Sequence, residues 1–332
     1  MRISRATYVI LLGSAFFLTQ RVHPQTSSQV KRIQADWQSF KSSQESGNRP
    51  VYPPLAVATK IEGGVRLDFV ISTDGTTKDI ALLSGHPLLV QSAIDAVRSW
   101  RFKPTVLGDT AVEVETIATI GFFLPGHDPS TFLAPYRKNV EKNPNGAKEH
   151  RALGRQLLNV GEPGEAAVEF QKAISLEPQE AGAHFDLGEA LAAKGDLDTA
   201  VSEYRKGLSM NPNATNAHYD LARSLERKGD LDGALAEYRL GLQLQPKEGN
   251  RHYGFGLLLM KKKDVDAAVI EYRLALQNRF DTPVVHYELG RALEEKGDLA
   301  AAEKEYQKAA KDMPQNETYR QAHDRVANHS HP

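Results

Sequence analysis

Residues 184–212 read HFDLGEALAAKGDLDTAVSEYRKGLSMNP, and residues 218–246 read HYDLARSLERKGDLDGALAEYRLGLQLQP. The two stretches align at a shift of 34 residues, and the same shift carries the pattern through the whole C-terminal half. Gly154, Gly188, Ala222, Gly256 and Gly290 share one register; Ala166, Ala200, Ala234, Ala268 and Ala302 share a second. A third holds Phe170, Tyr204, Tyr238, Tyr272 and Tyr306, and a fourth Pro178, Pro212, Pro246 and Pro314. A fixed period of this length marks a stack of supersecondary units that each bury a face only against their neighbours.

Each register has a mechanical reason. Small residues at the first two let the helices of a pair approach closely, and the aromatic fills the space beyond them. Between the helices, Gly195-Asp196, Gly229-Asp230 and Gly297-Asp298 supply a left-handed stop followed by a capping carboxylate. Repeat four departs from this, with Lys263 in the Gly position and Phe280 in the Pro position. A left-handed Lys263 costs on the order of 1 kcal/mol. The period and its pattern resemble the tetratricopeptide family, which implies an all-α superhelical solenoid. Five repeats are expected over residues 147–316. Tyr136-Arg137-Lys138 and Asn143-Pro144 repeat the register of a second helix, so residues 125–146 read as a linker and a half-repeat cap. Tyr319, Ala322 and Val326 form a stripe that closes the other end within 317–332.

Upstream, residues 51–124 read as helix, strand, strand, helix, strand. Val65, Leu67, Phe69 and Ile71 alternate with Arg66, Asp68 and Val70, the period of two expected when one sheet face is buried and the other wet. Asp74-Gly75 supplies the positive-φ residue of a tight hairpin. Leu89, Ala93, Val97 and Trp100 share one helical stripe that covers the sheet, with Trp100 and Phe102 read as core. A last strand runs from about Thr110 to Phe123. Tyr52-Pro53, Ile61 to Val65, Asp74-Gly75 and above all Trp100-Arg101-Phe102-Lys103-Pro104 resemble the C-terminal domain of TonB. The resemblance implies an α+β domain of helix and three-stranded antiparallel sheet, and recognition of outer-membrane transporters by a peptide that pairs with a strand edge. That edge would be Val112, Val114 and Thr116. The chain departs from the family's transducers in carrying Arg49 where they have Gln, no His in its N-terminal apolar run, and no long proline-rich arm.

Residues 1–25 carry Arg2 and Arg5 before an apolar run from Tyr8 to Leu18, the pattern of an export signal. The run has roughly half of the ~20 apolar residues that span a bilayer, so a cleaved signal peptide is the expected reading and an uncleaved N-terminal anchor the alternative. Either places the chain in the periplasm, free or tethered to the inner membrane. Residues 26–50 are a polar linker. Val30, Ile33, Trp37 and Phe40 recur there at helical spacing, which reads as an amphipathic helix docked on the next domain.

Net charge is −1, from 41 Lys+Arg against 42 Asp+Glu, which disfavours nucleic acid as a partner. Cysteine is absent, and no HExxH, GxSxG or phosphate-cradling loop occurs, so no enzyme activity, cofactor or metal is expected. The recurring His150, His184, His218, His252 and His286 are too far apart to share a zinc ion and read as packing residues. Function is expected on surfaces that grip polypeptide. The resemblance to tetratricopeptide proteins places a peptide on the concave face, in a column of Phe185, Tyr219, Tyr253 and Tyr287 and a second containing Arg155, Arg223 and Arg291. The expected protein is an envelope scaffold joining protein or peptide partners, among them an outer-membrane transporter; the alternative is a TonB-type energy transducer.

Overall fold

The computed structural model describes residues 31–35, 37–124, 126–314 and 316–330; the N-terminal apolar run and its linker up to Val30 lie outside them. The first described segment is not one helix. It forms a short strand β1 (Arg32–Gln34), one helical turn α1 (Trp37–Phe40) and a second short strand β2 (Gln44–Ser46). The docking read from Ile33, Trp37 and Phe40 is present, since all three pack on the core of the next domain. Trp37 stacks on Trp100 at 5.4 Å with the rings 11° apart, so the aromatic contact and a strand pairing together replace a continuous helix.

After a short helix α2 (Pro54–Ala58) come β3 (Gly63–Ile71), β4 (Thr77–Ser84), α3 (Pro87–Ser99), β5 (Arg101–Phe102), β6 (Thr105–Leu107) and β7 (Thr110–Phe122). The three long strands are antiparallel as expected, with β3 in continuous register against β7 and paired to β4 with register shifts at Arg66/Leu67 and Asp68/Val70. Gly75, at φ 82°, turns the β3–β4 hairpin so tightly against Phe102 that a side chain there would collide with the Phe102 carbonyl. Leu89, Ala93 and Val97 of α3 pack with Val65, Leu67, Phe69, Ile71 and the nearly buried Trp100 and Phe102 in one core. The sheet is larger than the three strands read from sequence: β1 pairs with β7 in parallel and β6 pairs with it antiparallel.

Six residues, 123–128, connect β7 to the helical array. A capping helix α4 (Pro129–Lys142) leads five antiparallel pairs: α5 (Ala147–Asn159) with α6 (Pro163–Leu176), α7 (Ala181–Lys194) with α8 (Leu197–Met210), α9 (Thr215–Lys228) with α10 (Leu231–Leu244), α11 (Gly249–Lys261) with α12 (Val265–Gln277), and α13 (Pro283–Glu295) with α14 (Leu299–Asp312). A final helix α15 (Glu317–Ser330) buries Tyr319, Ala322 and Val326.

Local chemistry follows the registers. A β-carbon built on Gly256 would stand 2.5 Å from the Tyr272 ring, and one on Gly188 would stand 3.0 Å from Tyr204. The glycine register is therefore set by the aromatic seated opposite it. Gly195, Gly229 and Gly297 adopt φ near 86° (86°, 85° and 87°), and Asp196, Asp230 and Asp298 each accept a hydrogen bond from a backbone N–H three residues on. Lys263 keeps the same left-handed stop without glycine, at φ 64°, followed by a capping Asp264. Where repeat four lacks its proline, Arg279 is also left-handed, and the Phe280 ring lies 5.7 Å from Tyr253.

Candidate polypeptide-binding surfaces

The sheet domain sits against the first helices of the array. Every residue of β3 is buried, including Arg66 (3% exposed) and Asp68 (7%), because the face that alternation marked as wet is covered by α5, α7 and α9. The cover is charge-matched. Arg66 pairs with Glu189 on α7, and Arg223 on α9 donates to Asp68 Oδ2 at 2.9 Å. Gln34 of β1 donates through Nε2 to the Arg227 carbonyl at 3.1 Å. At the seam a side chain on Gly64 would collide with the Asn159 carbonyl and Thr119, so backbone meets backbone there. Burial, then the neighbouring Asp68, pushes the Glu115 carboxyl up to about 7, against the pull of Arg227 and Lys261.

The aromatic column is not an open surface. Tyr219 is fully buried, and its ring packs over Gly241 as the Phe185 ring packs over Gly207. Tyr253 lies between Tyr272 and Phe280, and the Tyr287 ring lies 4.8 Å from that of Tyr319, tilted by 30°. These rings enter the space between the helices because the facing second helix offers glycine or another ring, and they hold repeats together. Arg251 lies over the Tyr219 ring at 4.4 Å and closes its outer face. The arginine column divides. Arg223 serves the sheet, while Arg155, paired with Asp186, and Arg291, paired with Glu288, remain half exposed at the two ends (53% and 49%). Burial raises the Glu288 carboxyl to about 7 despite Arg291, and burial with Glu189 nearby raises Asp220 to about 6.

The expected strand edge is also occupied along part of its length. Val112, Val114 and Thr116 lie in β7, which has β3 on one side from Val114 onward. β6 pairs with Thr110–Val112, and on the side of β7 away from β3 the strand β1 pairs with Glu113–Glu115. All three side chains point into protein and are fully buried. Past Glu115 no strand among the described residues pairs with this side of β7, and Ile117 and Thr119 line a cleft of about 240 Å³ with Trp37, Arg66, Leu158 and Pro163.

A periodic polar device escaped the sequence reading. Each recurring histidine lies between two acceptors: His150, His184, His218 and His252 have Nδ1 on Glu169, Glu203, Glu237 and Glu271 at 2.5 to 2.7 Å, and Nε2 facing the carbonyl of Pro144, Pro178, Pro212 or Pro246. His286 bridges Glu305 and Asp281. At His252 and His286 two acceptors call for two N–H donors, which is the imidazolium. Burial opposes that charge at His252, but Glu271 and the Pro246 carbonyl prevail and hold its pKa above the ordinary value; Glu305 does the same for His286. A glutamate nineteen residues after each of the five recurring histidines was the available signal.

Residues 48–124 match the family model of the Gram-negative bacterial TonB protein C-terminal. Residues 151–209, 195–249 and 283–316 match tetratricopeptide repeat models. Over 65 residues the chain is 40% identical to protein TonB of Pseudomonas aeruginosa, covering 19% of each chain. Over 61 residues it is 36% identical to protein TonB of Escherichia coli, covering 18% of this chain and 26% of that one. The chain thus spans 19% and 26% of the lengths of these two relatives. The solved structure of PilF from Pseudomonas aeruginosa is similar in fold, with a TM-score of 0.51 at 18% identity, over 58% of this chain and 88% of that one. The chain joins a TonB C-terminal-like domain, residues 48–124, to an array of tetratricopeptide repeats.

Proposed function

We propose that this protein is an exported, non-enzymatic scaffold of the cell envelope, in which the TonB-type sheet and the tetratricopeptide array act as one recognition body for polypeptide. The observation that carries this reading is the buried, charge-matched seam: Arg66 with Glu189 and Asp68 with Arg223 tie the modules face to face. Buried pairs are worth little as net stability but fix one mutual orientation against alternatives. Partners then meet two surfaces at once, which raises effective concentration without any reactive group.

In this reading the ends of the concave column, Arg155 and Arg291, contact a protein or peptide partner, and the β7 edge takes a second partner by strand addition, an outer-membrane transporter being the class that the TonB resemblance suggests. Export rests on Arg2, Arg5 and the run from Tyr8 to Leu18. The test is site-specific photocrosslinking of the full chain from positions 155, 291 and 119 in intact envelopes. Adducts that disappear on charge reversal at Arg155 and Arg291 support the reading, and no adduct above background at any position removes it. N-terminal sequencing of the same material tells a cleaved start beyond Leu18 from a retained anchor.

A further inference from the structure

The outer edge of β7 is filled in an unusual way. Five residues of the chain's own N-terminal segment lie along it in parallel: Glu113 N–H donates to the Lys31 carbonyl at 2.9 Å, and Ala35 N–H donates to the Glu115 carbonyl at 3.0 Å. The seat is specific. Arg32 donates through Nε and Nη2 to Glu113 Oε2 at 3.0 and 2.8 Å, and reaches Asp79 at 3.4 Å. Ile33 faces the sheet core, and Gln34 reaches across to the array at the Arg227 carbonyl. The pairing is also short, three residues against the nine that β3 pairs with β7. At Trp37 the strand gives way to α1, which stays against β7, and among the described residues no strand pairs with the edge past Glu115, where Ile117 and Thr119 line the 240 Å³ cleft with Trp37, Leu158, Val160 and Pro163. An edge of this kind carries outward N–H and C=O groups that an extended chain satisfies.

We propose that Arg32–Gln34 is an in-chain stand-in for a partner strand: the β7 edge accepts, in parallel, an extended segment with the order cation, aliphatic, amide, which displaces β1 and runs on along Ile117–Gly121 into the cleft. This rests on the scaffold reading and names the chemistry of its second partner. The cation meets Glu113 and Asp79, the aliphatic side chain enters the Ile33 site, and the amide reaches the array, so the sequence of β1 is a template for the ligand. A strand longer than β1 gains the ladder beyond Glu115 that the chain leaves unmade. The resident strand competes intramolecularly, so partner affinity is set by how firmly β1 is held.

The probe is a fluorescein-labelled peptide, Lys-Arg-Ile-Gln-Thr-Val-Thr-Val-Thr, read by anisotropy against full-length protein. The cysteine-free chain allows a clean lock: Ile33→Cys with Val114→Cys, directly paired positions, closes β1 onto β7 on oxidation. Arg32→Glu, which removes a charge-assisted pair from the resident strand, should bind the peptide about tenfold more tightly than wild type. The oxidised double-cysteine protein should not bind, and reduction should restore binding. Equal binding by locked and reduced forms, or no binding by either the reduced form or Arg32→Glu, overturns the proposal. Envelope crosslinks that persist from position 291 while the peptide fails remove the strand seat and leave the scaffold; peptide binding with no envelope crosslink at any position does the reverse.

Discussion

The Arg223 guanidinium, in the third repeat of the array, donates to the Asp68 carboxylate of the sheet at 2.9 Å across 155 residues of sequence. Neither group has bulk water in its place: the side chains are 22% and 10% exposed. Removing one partner strands the other, a change that costs about 3 kcal/mol. Arg223→Glu should therefore separate the modules rather than unfold either one, seen as a larger radius of gyration in small-angle scattering. The swap Asp68→Arg with Arg223→Glu should recover most of the compaction. A swap no more compact than the single variant would show that the pair does not orient the seam.

Gly64 meets the Asn159 carbonyl with no room for a side chain. Gly64→Val should force the sheet off α5 at a cost of about 1–3 kcal/mol, most of it at the seam. Hydrogen exchange should rise along β3 and β7 while α11 to α14 stay protected. Unchanged protection in β3 would contradict this.

The histidine bridges make the array sensitive to pH. His252 and His286 are held charged above the ordinary value of 6.5, so the folded chain binds a proton that the unfolded chain gives up near that pH. Their stabilisation is complete below 6.5 and is lost as pH rises through the folded values. The raised carboxyls of Glu115 and Glu288 act in the same direction at lower pH, between 4.5 and about 7. Thermal melts should show Tm falling as pH rises above 6.5, with a smaller fall in a Glu271→Gln, Glu305→Gln protein. A Tm that is flat or rises over that interval would refute the bridge.

Lys263 holds a left-handed stop that its counterparts fill with glycine, at φ 64°. Lys263→Gly should stabilise the fourth repeat by about 1 kcal/mol, raising the denaturant midpoint without altering its slope. A lowered midpoint would mean that the side chain, 3.6 Å from Glu295, matters more than the backbone.

Much of this was legible before any coordinates. Gly154 and Phe170, or Gly195 and Asp196, declare helix pairs and their stops because contacts within a repeat are local and recur. Trp100 and Phe102 declared a core because large aromatics that continue the apolar stripe of a helix fill the space beneath it. Docking was not legible. Arg66 and Asp68 read as solvent-facing because alternation reports a two-faced strand and says nothing of a domain that arrives more than a hundred residues later. Tyr219 read as a groove residue because its register places it on a first helix, while the glycine that admits its ring, Gly241, stands on the second. The β7 edge read as open because β1 is three residues long and carries no strand pattern of its own.

Six residues separate Phe122 of the sheet from Pro129 of the array. A coil of that length has a root-mean-square reach of about 14 Å. A sheet that lets go of its cradle is therefore never far from it, and re-docking is a first-order event against an effective concentration in the millimolar range. Any outside molecule that takes the middle of the concave face competes with that tether, so opening depends on the ratio of its concentration to its dissociation constant, and on ionic strength.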